Sequence, residues 1–120
     1  YVSSGQGVLL DIDVQGARQI RSRIIDTSLG YATEFVFIGP PSYSEMERRL
    51  RSRGTDREDV IERRLKNAYN ELDAWNEYDF LVINEDVQTA AEQLQAILKA
   101  TTCTTSRILG NPWPDLERAL

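Results

Sequence analysis

Three short apolar runs, separated by stretches with helical spacing, limit the fold of this chain more than any other feature. Gly7 to Ile12 carries Val8-Leu9-Leu10, Thr33 to Ile38 is rich in β-branched and aromatic residues, and Asp79 to Ile83 reads Phe-Leu-Val-Ile. Each run is too apolar for a strand with one wet face, so each is expected to be a buried strand of a parallel sheet with helices on its faces. Strand, helix, strand, two helices, strand, helix is the order of an α/β layered fold. A parallel sheet of this kind normally has more than three strands, so the chain is expected to be part of a domain. The start at Tyr1, without an initiator methionine or the basic and apolar segments of a secretory signal, leads to the same expectation of a piece cut from something longer.

The helices announce themselves by caps and periodicity. Val14 to Arg23 is helix-compatible, and Ser42 with Glu45 forms a capping box after Gly39-Pro40-Pro41. The helix behind it turns Met46 and Leu50 inward and stops at Gly54. Thr55 with Glu58 repeats the box, and Ile61, Leu65, Ala68, Leu72 and Trp75 recur at three and four, predicting a helix from about Asp56 to Glu77. A last helix is expected from Val87 to about Ala100, burying Ala90, Leu94, Ile97 and Leu98. Residues 101–120 read as a tail, disordered or lightly docked.

Chemistry must rest on carboxylates and guanidiniums. The chain has no histidine and one cysteine, Cys103, which excludes an internal disulfide, zinc clusters and His-dependent triads, and makes the cytoplasm the expected compartment. A net charge of −5 argues against a nucleic-acid or membrane-surface partner. Any anion must be met locally, and half of the 14 basic residues fall between Arg48 and Arg64. Arg49 and Arg53 share one helix face, and Arg57 and Arg64 another, so two faces meeting at Gly54 could converge on a polyanion. Pairing with Glu45, Glu47, Asp56, Glu58, Asp59 and Glu62 is the competing reading. Asp11 and Asp13, one residue apart at a strand end, suit either a ligand crevice or a helix cap. Asn84 ends the third run and suits either a base or ribose contact or an N-cap. Tyr69, Trp75, Tyr78 and Phe80 are expected in the core.

In order, Val8-Leu9-Leu10-Asp11-Ile12-Asp13-Val14-Gln15-Gly16-Ala17, Pro40-Pro41-Ser42, Arg48-Arg49-Leu50-Arg51-Ser52-Arg53-Gly54-Thr55-Asp56, Glu62-Arg63-Arg64-Leu65 and Asp79-Phe80-Leu81-Val82-Ile83-Asn84 resemble the guanylate kinase family. The resemblance implies part of a P-loop nucleoside-monophosphate-kinase-like three-layer α/β fold. Residues 1–100 would be the C-terminal part of that domain, with a lid at about 42–66. The implied reaction passes the γ-phosphoryl of ATP to GMP with Mg²⁺. Asp11 matches a strand-end acid that reaches the metal through water, Asp13 a residue on the guanine side of the GMP site, Arg49, Arg53 and Arg64 the lid arginines, and Asn84 an adenosine-side contact. Family members also carry a glycine-rich loop ending Gly-Lys-Ser/Thr and a GMP-binding region, and no Gly-Lys pair occurs here. These 120 residues are therefore expected to be inactive alone, with open strand edges that invite pairing or swapping with a second copy. A protein-binding module of the same fold is the alternative; it would have no need of the lid arginines.

Overall fold

In the computed structural model, which describes residues 7–54 and 56–119 apart from the side chains of 117 and 119, helices flank a short parallel sheet. Helix α1 (Val14–Ile24) begins at Asp13, whose Oδ1 accepts from the Gly16 N–H at 2.7 Å. A single turn, α2 (Ser28–Tyr31), leads into strand β1 (Val36–Gly39). Helices α3 (Tyr43–Ser52) and α4 (Glu58–Asp73) form a hairpin, followed by a 3₁₀ turn (Trp75–Glu77), strand β2 (Phe80–Ile83) and helix α5 (Val87–Thr101).

β1 and β2 pair in parallel, with Val36 opposite Phe80 and Gly39 opposite Ile83. Asn84 N–H extends the ladder by donating to Gly39 O at 2.8 Å. The sheet therefore has two strands where three apolar runs were expected. Val8 to Ile12 forms no strand among the described residues and is exposed, Leu9 to 77%. An apolar run only permits a strand, and the ladder needs a neighbour whose N–H and C=O groups complete it. Among the described residues, neither outer sheet edge carries a third strand.

The core is correspondingly thin. Ala17, Phe37, Ile61, Leu65, Ala74 and Val82 are its buried apolar residues, whereas Ile38, Leu81 and Ile83 of the strands are exposed. A compact monomer of 13.7 kDa would expose about 6,600 Å², and this chain exposes 9773 Å². The radius of gyration, 19.5 Å, likewise exceeds the roughly 14 Å of a compact domain of this length. The chain is thus built like a portion of a larger packed body.

Caps decide the helix ends, with corrections. Ser42 Oγ accepts from Glu45 N–H at 3.0 Å, but the Glu45 carboxylate turns to Arg48 and Arg49 instead of closing the box. Gly54 stops the hairpin's first helix at φ +69°, a conformation that costs an L side chain but not glycine. The second box falls on Thr55, which lies outside the described residues; α4 starts from Arg57 without a side-chain cap and ends at Asp73, short of Glu77. Asp86, not Asn84, caps α5 by accepting from Gln88 and Thr89 N–H. Leu98 is half exposed, against expectation; the main packing partner of α5 among the described residues is the short strand β2. Tyr69 and Trp75 are also exposed, while Tyr78 packs edge-on against Phe37 at 5.0 Å and Phe35 at 6.5 Å. The tail is lightly docked at its start, where Arg107 donates to Tyr31 O and pairs with Glu34. Burial, reinforced by Asp79, pushes the Glu34 carboxyl above its usual range.

Candidate functional site

The hairpin of α3 and α4 encloses a groove of about 460 Å³ lined by Met46, Leu50, Arg53, Arg64, Asn67, Ala68 and Glu71. Its lining follows helical spacing on both sides: 46, 50 and 53 from α3's face, and 64, 67, 68 and 71 from α4's. The structure thereby brings Arg53 and Arg64 to one groove whose floor is apolar. Arg49 sits on the flank, its Nε donating to Glu45 Oε1 at 3.1 Å. Asn67 and Glu71 were missed by sequence reasoning, although their spacing from Arg64 puts them on its face.

Several arginines of the cluster pair with carboxylates, as the competing reading expects. Arg48 binds Glu45 through two contacts of 3.0 and 2.6 Å, and the pair pulls the Glu45 carboxyl down to about 2. Arg51 bridges the hairpin, reaching Glu47 on α3 and both Glu58 oxygens on α4. Arg64 Nη1 donates to Asp56 Oδ2 at 2.8 Å, leaving its other guanidinium N–H groups for the groove. No carboxylate pairs with Arg53 among the described residues. A guanidinium held by one edge and open at the other, as at Arg64, is suited to a phosphate, which accepts from the planar fork bidentately.

At the carboxyl ends of the strands lie Gly39-Pro40-Pro41-Ser42 and Asn84, where ligands bind in open α/β sheets. Beside them a smaller, mainly apolar hollow of about 200 Å³ is lined in part by Phe37, Gly39, Tyr43, Leu72 and Trp75. Asn84 is half-buried. Asp13 caps α1, and Asp11 is exposed in the irregular segment before it. Among the described residues, no three acids or thiols gather as a self-sufficient metal cage, and no helix is long and apolar enough to cross a membrane.

A parallel strand pair crossed by a helical hairpin, with polar groups at the strands' carboxyl ends, places the chain in the α/β class of P-loop nucleoside-monophosphate kinases, and a solved guanylate kinase shares this architecture. The chain belongs to the guanylate kinase family, whose model matches residues 2–101. It is 47% identical over 104 residues to a guanylate kinase of Syntrophotalea carbinolica, covering 87% of this chain and 47% of the relative. With a guanylate kinase of Hydrogenovibrio crunogenus the identity is 48% over 99 residues, 82% of this chain and 45% of the relative. The crystal structure of guanylate kinase from Anaplasma phagocytophilum superposes with a TM-score of 0.65 at 31% identity, covering 85% of this chain and 45% of that one. The chain spans about half the length of the relatives it matches.

Proposed function

We propose that this chain is the lid-bearing part of an ATP:GMP phosphotransferase and does not turn over GMP by itself. The observation that carries the reading is the convergence of Arg53 and Arg64 on one groove at a glycine turn. In the reaction, the bond between the γ-phosphorus of ATP and its bridging oxygen breaks as one to a GMP phosphate oxygen forms, leaving ADP and GDP. Positive charge and positioning carry such a transfer, with no covalent enzyme intermediate required. Arg53 and Arg64 would hold the phosphates, and Arg49 would join them on exchanging Glu45 for a phosphate oxygen. Asp11, an exposed hard-oxygen donor, fits Mg²⁺ held through water together with the nucleotide phosphates, which needs only one or two carboxylates. Asp13 would serve the guanine side, and Asn84 the adenosine side. GMP and ATP are the partners in this reading, and the cytoplasm is the setting where both are supplied.

Coupled ADP release tests it, comparing this chain with a longer protein that adds the upstream half found in its relatives. Turnover only by the longer protein is expected; turnover by this chain alone refutes the claim of dependence, and none by the longer protein refutes the assignment. Sedimentation of the isolated chain reads out whether its open sheet edges pair copies together.

A further inference from the structure

Arg18 and Arg21 lie outside the lid and have no part in the phosphate chemistry above. Three apart on α1, they share a face and both reach the segment that joins the lid to the sheet. Arg18 binds Glu77 with two parallel bonds, Nε to Oε1 at 3.0 Å and Nη2 to Oε2 at 2.7 Å. The Arg21 guanidinium stacks 4.4 Å from the Phe35 ring centre and 5.6 Å from that of Tyr78. Its Nη2 is buried with no acceptor among the described residues, a cost borne only where the stacking holds the group in place. These contacts tie α1, whose one buried residue is Ala17, to the segment before β2.

Each end of this tether leads to a residue of the proposed site. Glu77 closes the 3₁₀ turn that continues α4, the helix carrying Arg64, and Asp13 caps the start of α1. The Arg18–Glu77 pair is half exposed, and such surface pairs add little to stability. Its bidentate form instead fixes an orientation. We propose that Arg18 and Arg21 are positioning residues that brace the acid-bearing helix against the base of the lid helix, so that Asp13 and Arg64 keep a fixed relation. The proposal rests on the phosphotransfer reading for its kinetic consequence and on the tether alone for its structural one.

Two assays separate these. In the longer protein, Arg18→Glu should raise KM for GMP about tenfold, since an ångström of misplacement is costly at a binding group, and adding Glu77→Arg should restore it. A purely structural role would lower apparent kcat with the folded fraction and leave KM unchanged, which overturns the proposal; Arg18→Gln supplies the same test if the charge reversal fails to fold. In this chain, amide exchange at Gly16, whose N–H is held by Asp13, should quicken in Arg18→Glu and slow again in the swapped pair. Unchanged exchange overturns the brace, even where the longer protein proves not to phosphorylate GMP.

Discussion

Replacing Gly54 with alanine probes the turn on which the lid hairpin folds, and its cost can be worked from the backbone alone. At φ +69° the added Cβ would meet nothing closer than Ser52 O at 3.7 Å, an ordinary contact, so no steric clash enters. What remains is the penalty of an L-residue in the left-handed region, about 1–2 kcal/mol. Alanine's smaller freedom in the unfolded chain returns about 0.4–1 kcal/mol of that. The net loss is roughly 1 kcal/mol, a factor of about five in the folding equilibrium. For a chain of this size that corresponds to a fall of roughly 4 °C in Tm. Thermal melts followed by circular dichroism would read it directly. Gly54→Asn should recover much of the loss, because asparagine tolerates this backbone region. Gly7→Ala, where nothing among the described residues lies within 4 Å, should change nothing. An alanine variant at position 54 as stable as the parent, or an asparagine variant equally damaged, would refute the reasoning.

Val82→Ala removes two methyl groups from the most deeply buried large side chain and should cost about 2 kcal/mol, seen as a lower urea midpoint at unchanged slope. Glu45 titrates near 2 instead of its ordinary 4.5, so its contribution to α3 is fully present above about pH 4.5 and is lost as pH falls through 2. Glu45→Gln should remove that acid-limb dependence in a pH series of melts. Asp86→Ala should speed amide exchange at Gln88 and Thr89, which it caps. The Thr89 hydroxyl and the two N–H groups hold the Asp86 carboxyl low, so its cap should persist above its ordinary 3.8 and fail as pH falls below that value. In the longer protein, Arg64→Met should lower kcat on the order of 10³-fold with GMP and ATP saturating, the scale of a lost transition-state arginine.

The starts of α1 and α3 were readable, since Asp13 and Ser42 each accept from an N–H three residues on, whereas α5 is capped by Asp86 and not by the expected Asn84. The stop at Gly54 was readable too, since its backbone freedom is intrinsic. Glu45 shows where such reasoning stops: its capping role competes with two arginines on the next turn, and the stronger charged contacts win. The arginine cluster was visible as composition and helical phase. Whether Arg49, Arg53 and Arg64 meet depends on how α3 and α4 cross, and that crossing put two in the groove and one beside it.

The ordered motifs from Asp11 to Asn84 were sufficient to indicate the family, because their residue types and spacing are properties of the chain itself. Tertiary structure decided everything that needs a second segment to answer the first. Val8 to Ile12 has a strand's residues but no paired neighbour among the described residues, so it stays irregular and exposed, while Asp13 caps α1. Arg18 and Arg21 carried no motif; only the arrival of Glu77, Tyr78 and Phe35 beside α1 gives them partners, contacts that cross more than ten residues in one case and more than fifty in the others.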